Sequence, residues 1–216
     1  MNGKMVALGD RALPGVDVIA VDGIEVETGA PFRYFALNKP RGVVTTTDDP
    51  RGRATVLDFL EEEIRRDFRL FPVGRLDMDS SGLILLTNDG FLANRLLHPR
   101  FEVSREYRVE VVPVPRPGDI ASLREGVVLD DGPTAPARVS LMGKKDDRGL
   151  VGVTIHTGKK RQIRRSFECL GYTVVMLCRV RFGSLGLGSL RPGGLRELDR
   201  LEVRRLYEVT GFFQGE

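Results

Sequence analysis

Residues 74–86 read Gly74-Arg75-Leu76-Asp77-Met78-Asp79-Ser80-Ser81-Gly82-Leu83-Ile84-Leu85-Leu86. The last four are all apolar, and a short run of this kind predicts a β-strand that is buried on both faces. The preceding polar loop carries two carboxylates, Asp77 and Asp79. A deeply held strand fixes the end of such a loop, as a catalytic group requires. The loop composition is equally typical of a turn with a surface ion pair, so both interpretations stay open at this point.

The segments on either side predict an α+β domain with a mixed, mainly antiparallel central sheet flanked by helices. Strands are predicted at residues 34–37, 43–47, 70–73, 83–86, 105–112, 137–141, 150–155 and 172–181. Helices are predicted at residues 56–66, 91–97, 117–125, 162–170 and 199–206, with Asn88 or Asp89 as the N-cap of the second. The elements show no regular βαβ alternation, which excludes a doubly wound parallel sheet.

Length and composition bound the class of protein. The 216 residues can bury a sizeable core, as one domain or two joined subdomains. No window approaches the about 18 apolar residues of a membrane span, and the N-terminus lacks a secretory pattern, so we expect a soluble cytoplasmic protein. The only cysteines are Cys169 and Cys178. Both are interpreted as buried core residues in a reducing compartment.

The charge balance is informative through its distribution. Lys+Arg 33 against Asp+Glu 30 gives a net charge of only +3, but acids cluster at 61–63 and 130–131 and bases at 158–165. This separation predicts one positive face. On a helix, Arg161, Arg164 and Arg165 share a side suited to phosphates, while Ile163 and Phe167 turn inward. A solvated charged face would have the same pattern.

Five segments together resemble a known family. They are Leu37-Asn38-Lys39-Pro40-Arg41-Gly42, Gly74-Arg75-Leu76-Asp77, Thr87-Asn88-Asp89-Gly90 with Ala93-Asn94, Glu106-Tyr107, and Arg161-Gln162-Ile163-Arg164-Arg165. In this order, over residues 33–206, they resemble the RsuA/RluB/RluE/RluF family of ribosomal RNA pseudouridine synthases. The resemblance implies the pseudouridine synthase fold for residues 31–216. It also implies that residues 1–30 are the C-terminal remnant of a small RNA-binding module.

The resemblance assigns roles to individual residues. Asp77 would be the catalytic carboxylate, Arg164 its salt-bridge partner, and Tyr107 the ring that lies against the extruded base. Asp79 is expected to orient the loop. The residues expected to contact RNA are all basic: Lys39, Arg41, Arg75, Lys159, Lys160, Arg161 and Arg165. No metal or cofactor is expected, because the sequence has no P-loop and its two histidines, His98 and His156, are interpreted as a helix-end and a strand residue.

The implied function is isomerisation of one flipped-out uridine in ribosomal RNA by a monomer. The segment 48–53 and the pairs Glu125-Gly126 and Asp131-Gly132 are most similar to enzymes of the large subunit, which makes large-subunit RNA the expected partner. A small-subunit target is the alternative. Two other classes stay open: a non-catalytic RNA-binding or ribosome-assembly module, and a nucleoside or glycoside hydrolase that uses Asp77 and Asp79 as an acid/base pair.

Overall fold

The computed structural model describes residues 3–7, 18–26 and 31–212. The chain divides into two compact units, Met1–Phe32 and Arg33–Glu216. In the first unit, β1 (Ile19–Val21) and β2 (Ile24–Val26) form an antiparallel hairpin. Its turn, Asp22-Gly23, has positive φ at both residues, as two-residue hairpins favour. The sequence also predicts a turn at Leu13-Pro14-Gly15 and an extended segment from Val16 to Val21. The turn and the part of the segment before Val18 lie outside the described residues.

The second unit is built on one nine-stranded sheet. Its strands are β3 (Tyr34–Lys39), β4 (Phe71–Pro72), β5 (Ser81–Thr87), β6 (Arg105–Val112), β9 (Arg138–Lys145), β10 (Arg148–Ile155), β11 (Thr173–Phe182), β12 (Leu185–Gly186) and β13 (Leu195–Glu197). The main path runs β13-β3-β5-β11-β6-β10-β9; β4 joins β5, and β12 joins β11. Only the β5–β11 pair is parallel among the described strands, which confirms the predicted mixed, mainly antiparallel sheet. A separate hairpin joins β7 (Val128–Leu129) to β8 (Gly132–Pro133).

The apolar run that opened the sequence analysis forms β5, and both of its faces are buried. Leu83 and Leu85 belong to a core cluster that contains Leu92, Leu96 and Leu206. Ile84 and Leu86 point the opposite way, into a cluster with Leu37, Val56 and Leu57. Because successive strand residues alternate in direction, a strand covered on both sides must be apolar throughout. The prediction of a doubly buried strand is confirmed.

Helices cover the sheet and begin at residues that the sequence marks. They are α1 (Glu62–Asp67), α2 (Gly90–Leu97), α3 (Pro117–Glu125), α4 (Gln162–Glu168) and α5 (Arg200–Glu208). Asp89 is the N-cap of α2 and accepts from the Leu92 amide, and Asp199 caps α5 in the same way through Glu202. His98 ends α2, as predicted, and α3 has its predicted bounds.

Two predicted elements differ from the structure. Residues 43–47 form no strand; Val44 makes one isolated bridge to Thr55, and the rest is a loop. The helix predicted at 56–66 is two pieces, a 3-10 helix (Val56–Phe59) and α1, since Leu60 and Glu61 have extended ψ angles near 145°. The apolar spacing continues across the break, so periodicity alone does not detect it.

The prediction for the two cysteines is wrong. Cys169 follows α4 at the surface and is exposed, and Cys178 on β11 is only partly buried. An apolar sequence neighbourhood does not fix burial at the end of a helix, where the chain turns toward solvent.

Candidate active site

A cavity of about 500 Å³ opens in the second unit beside the loop that contains Asp77. Five parts of the chain line it: the 74–80 loop, Leu97 and Pro99 at the end of α2, Tyr107 with Arg105 on β6, the segment 155–163, and Leu177 with Arg179 on β11. Three of the five segments that carry the family resemblance, 74–77, 106–107 and 161–165, therefore meet around one cavity, although they are far apart in sequence.

The 74–80 loop is held from both ends and from its middle. Thr45 Oγ1 donates to the carbonyl of Leu76 at 2.8 Å and accepts from the amide of Leu76 at 3.3 Å. The Gly42 amide donates to the carbonyl of Met78 at 2.7 Å, and the Ser80 amide donates to that of Asp77 at 3.0 Å. These bonds fix the loop backbone on either side of Asp77, so the carboxylate is presented from a rigid support.

The Asp77 carboxylate faces the cavity with 29 % of its side chain exposed. Its ion-pair partner is Arg161, whose Nη1 lies 3.9 Å from Asp77 Oδ2. Across residues 3–7, 18–26 and 31–212, no donor forms a hydrogen bond to either carboxylate oxygen of Asp77. The oxygens are thus free to approach a substrate.

Arg164 is not the salt-bridge partner of Asp77, and that expectation is corrected. Its Nε lies 3.3 Å from Asp79 Oδ2, and its Nη2 donates to the Asp79 carbonyl at 3.0 Å. Nη1 donates to the carbonyl of Val174 on β11. The side chain is almost fully buried, so Arg164 joins helix, sheet and loop and does not present a phosphate-binding face. Burial lowers the pKa of Arg164, and the charge of Asp79 opposes that effect.

Asp79 binds Arg164 of α4 and Arg161, the N-cap residue of that helix. Arg161 Nη1 donates to its two carboxylate oxygens at 3.1 Å each. Burial tends to raise the pKa of Asp79, but the hydrogen bond from Arg161 and the charges of Arg164 and Arg161 outweigh burial and lower it. Asp79 therefore stays ionised, in agreement with its expected role as the residue that orients the loop.

Tyr107 lies on β6 between two neighbouring strands. Its register partners are Val153 on β10 and Arg179 on β11. The residue is 8 % exposed and lines the cavity together with Asp77. A ring and a carboxylate on one cavity wall are what a base and its sugar would contact.

The basic residues expected to bind RNA divide into two groups. Arg41, Arg75 and Lys160 are exposed, and the last two line the cavity. Lys39 is completely buried and donates to the carbonyls of Pro40 and Ser80, so it is no surface contact for phosphate. That part of the expectation is wrong, because the strand β3 carries Lys39 beneath the active-site loop.

The predicted separation of acidic and basic clusters is also wrong. Arg165 pairs with Asp130 at 2.6 Å and with Asp131 at 3.0 Å. Lys159 Nζ donates to the carbonyls of Asp131 and Gly132. The turn between β7 and β8 therefore pairs with Lys159 and Arg165, two of the bases in the segment 159–165. Neither Lys159 nor Arg165 is a free phosphate ligand in this arrangement.

Four cavity or support residues escaped the sequence reasoning: Thr45, Arg105, His156 and Arg179. His156 lies just after β10 and not within it; its Nδ1 is 2.6 Å from the Glu102 carbonyl. Arg179 had a detectable signal, since it is a charged residue between the apolar residues Cys178 and Val180 on a predicted strand. Thr45 had none, because its partner Leu76 is 31 residues away.

Residues 33–169 match the protein family described as RNA pseudouridylate synthase. The chain belongs to this family, whose members are isomerases that convert uridine to pseudouridine in RNA. Membership also settles the reaction class against a hydrolase. None of the helices in the described ranges combines the length and apolar composition needed to cross a membrane.

Individual relatives are similar over nearly the whole chain. Ribosomal large subunit pseudouridine synthase B of Bacillus subtilis is 42 % identical over 208 residues, which cover 95 % of this chain and 84 % of the relative. An uncharacterized RNA pseudouridine synthase of Mycobacterium leprae is 46 % identical over 213 residues, 98 % of this chain and 83 % of the relative. A crystal structure of a pseudouridylate synthase superposes with a TM-score of 0.75 at 32 % identity, covering 95 % and 86 % of the two chains.

Proposed function

We propose that the chain isomerises one uridine of large-subunit ribosomal RNA, with Asp77 as the catalytic carboxylate. The observation that carries this proposal is the common cavity of Asp77 and Tyr107, in which the Asp77 oxygens accept no hydrogen bond from the described residues. The large-subunit assignment is supported by the name of the Bacillus subtilis relative, which is similar along almost all of its length.

The residues fit the chemical demands of the reaction. Breaking the N-glycosidic bond of uridine develops positive charge on the sugar, and an ionised carboxylate either attacks the nucleoside or stabilises that charge. Arg161 Nη1 lies 3.9 Å from Asp77 Oδ2 and places a positive charge beside this carboxylate. The base then turns and is rejoined through carbon, so the atoms of substrate and product are the same. The Tyr107 ring supports the detached base, and its hydroxyl helps to move a proton.

Access requires that the target nucleotide leave its helix. A base paired within a duplex does not reach the floor of a cavity of about 500 Å³, so the uridine is flipped out before it reacts. Arg41, Arg75 and Lys160 are exposed and are the residues proposed to hold the flanking phosphates. The protein acts as a monomer on RNA in the cytoplasm, and residues 1–30 are proposed to belong to a small RNA-binding module.

The test uses unmodified transcripts of the large-subunit and small-subunit ribosomal RNAs. The purified chain, the Asp77→Asn variant and a matched control, Asp67→Asn, are incubated with each transcript. Asp67 is a surface residue of α1 that pairs with Arg66. Pseudouridine is mapped by carbodiimide-blocked reverse transcription.

A new stop at one large-subunit position, present with the control and absent with Asp77→Asn, is the expected result. A stop only in small-subunit RNA overturns the proposed target. Full activity of Asp77→Asn overturns the proposed mechanism. If naked transcripts give no stop, immature large-subunit particles are the next substrate, and a further negative result there contradicts the ribosomal assignment.

A further inference from the structure

Two cationic groups that line the cavity, Arg179 and Arg105, have no part in the reaction described above. Arg179 lies on β11, in register with Tyr107 on one side and with Gly82 on the other. It is 2 % exposed, yet it lines the cavity. Its Nε donates to the Leu83 carbonyl at 2.7 Å, and its guanidinium lies over the Phe182 ring at 5.0 Å. Its Nη2 is buried and has no hydrogen-bond partner in the described part of the chain.

Arg105 stands next to it. It is the first residue of β6, lines the same cavity, and lies over the same Phe182 ring at 5.5 Å. Its Nη1 donates to the His156 carbonyl at 2.8 Å and its Nη2 to the Leu96 carbonyl at 3.4 Å. Burial lowers the pKa of Arg105, and the nearby charge of Arg179 lowers it further.

Neither guanidinium forms an ion pair with a carboxylate among the described residues. Arg179 is buried and Arg105 is partly buried, and two like charges in such positions without an acidic partner are costly to keep. Asp77 is the acid of the same cavity, but its ion pair is with Arg161. The arrangement therefore has a positive potential that the protein itself leaves uncompensated, and an incoming anion would remove that cost.

We infer that Arg105 and Arg179 form a phosphate subsite for the phosphodiester of the flipped uridine itself. The inference rests on the proposed function, because the flipped nucleotide brings its own phosphates into the cavity. Arginine suits this task, since its planar fork binds phosphate oxygens in pairs and its face stacks on an aromatic ring. Arg41, Arg75 and Lys160 are exposed and bind the neighbouring phosphates. Arg105 and Arg179 bind the phosphate attached to the reacting sugar.

The subsite has a test that needs no turnover. The full-length ¹⁵N-labelled chain is titrated with uridine, uridine 5′-monophosphate and uridine 3′-monophosphate, and dissociation constants are read from amide shifts. At least one monophosphate is expected to bind about tenfold more tightly than uridine, the size of one charge-assisted contact. The monophosphate that gains affinity shows which phosphodiester is bound.

Variants connect that gain to the two arginines. Arg179→Gln and Arg105→Gln each remove most of the phosphate advantage, and Arg179→Lys keeps part of it. The matched control is Arg181→Gln, which lies on the same strand but is exposed and pairs with Glu106. Thermal unfolding identifies any variant that does not fold. If Arg179→Gln does not fold, the binding data for Arg105→Gln and Arg179→Lys test the subsite instead.

Equal affinity of the wild type for uridine and both monophosphates overturns the subsite. An unchanged advantage in the folded variants overturns the assignment to these arginines. Failure of the proposed function has a different signature, namely no pseudouridine in ribosomal RNA from a protein that still shows the phosphate advantage.

Discussion

Arg161 Nη1 lies 3.1 Å from both carboxylate oxygens of Asp79. The acid two residues earlier in the loop, Asp77, is therefore left without a strong partner and keeps its oxygens open to the cavity. Asp79 binds the cations, and Asp77 is free to react. The two carboxylates of the loop thus have different surroundings, which is how neighbouring acids acquire different tasks.

Asp79→Asn is expected to weaken catalysis without abolishing it. The amide keeps the shape but loses the charge that holds Arg161 and Arg164, so the loop shifts and the turnover rate under single-turnover conditions falls by about a hundredfold at most. Asp79→Glu should recover part of this loss. Asp77→Asn serves as the reference, since it should leave no measurable product. An equal, complete loss in both variants would show that Asp79 takes part directly in the chemistry.

Asp79→Asn should also change how the stability of the protein depends on pH in the acid range. The folded-state pKa of Asp79 is lowered, so its ion pairs stabilise the fold above the unfolded pKa near 4 and are lost as pH falls through the folded value. The side chains of Asp79 and Arg161 are each more than a third exposed, so their ion pair contributes about 1 kcal/mol or less to the free energy of unfolding. Denaturant midpoints of wild type and Asp79→Asn should converge as pH falls below 4.

Tyr107→Phe separates the ring from the hydroxyl. Tyr107 is 8 % exposed and in register with Arg179, so the phenylalanine ring fits the same place. Binding of a mapped ribosomal RNA fragment should stay within about twofold, while the turnover rate falls by about 10²-fold to 10⁴-fold if the hydroxyl moves a proton. Tyr107→Leu should lose affinity as well as rate. An undiminished rate in Tyr107→Phe would leave Tyr107 as a packing residue only.

Removing the acids of the β7–β8 turn should strengthen non-specific RNA binding. The double substitution Asp130→Asn with Asp131→Asn frees Arg165 from its ion pairs and removes the carboxylate beside Lys159, which keeps its bonds to two backbone carbonyls. Each freed cation that reaches a phosphate steepens the slope of log K against log salt by about 0.7 to 0.9. The slope is measured by fluorescence anisotropy with a short single-stranded RNA. Asp146→Asn with Asp147→Asn, in the β9–β10 turn, is the control; the same steepening there would point to net charge alone.

The sequence predicted the sheet better than the partners of individual side chains. The bounds of β6 and α3 follow from alternation and from Pro117, which are local signals. Whether Arg164 pairs with Asp77 or with Asp79 does not depend on the local sequence. The two acids are two positions apart, and the direction of each is set by bonds from Gly42 and Thr45 to the loop backbone. Motif order therefore selected Asp77, Tyr107 and Arg161, which line one cavity, but could not assign their ion pairs.

The same limit explains the charge clusters. Arg165 and Asp130 are 35 residues apart in sequence. Neither segment contains a local signal that predicts that the β7–β8 turn lies against α4. The burial of Lys39 was missed for the same reason. Its strand was predicted to stop at Asn38-Lys39-Pro40, but β3 includes Lys39 and buries it. Long-range packing decides such cases, and periodicity carries no information about it.

Lys39 should make stability rise with pH in an unusual window. Burial lowers its pKa from 10.5 to about 8, although Asp79 and Asp77 oppose the shift. Because the unfolded chain binds the proton more tightly, the cost of charging Lys39 is fully present below pH 8 and disappears as pH rises toward 10.5. The gain in unfolding free energy reaches about 3 kcal/mol. In denaturant titrations, Lys39→Met should not show this rise in unfolding free energy with pH. Lys145→Met, at an exposed position, should show the same rise as the wild type.

Gly82 allows the parallel contact that places Arg179 beside the active-site loop. A Cβ at this position would lie 2.3 Å from the Arg179 carbonyl oxygen and 2.6 Å from its amide nitrogen, and φ is +107°. Both neighbours are backbone atoms of a central strand and cannot move aside. Gly82→Ala is therefore expected to destabilise the fold by at least about 3 kcal/mol, measured by urea unfolding.

Gly90→Ala is the matched control for that measurement. Gly90 is the first residue of α2, and nothing lies within 4 Å of its added Cβ. Alanine there should be neutral or stabilise the protein by up to about 1 kcal/mol, because it costs less entropy in a helix than glycine. If Gly82→Ala were equally mild, β5 and β11 would have to separate at Arg179. The phosphate advantage of the uridine monophosphates should then weaken in that variant, since Arg179 would no longer be held beside Tyr107.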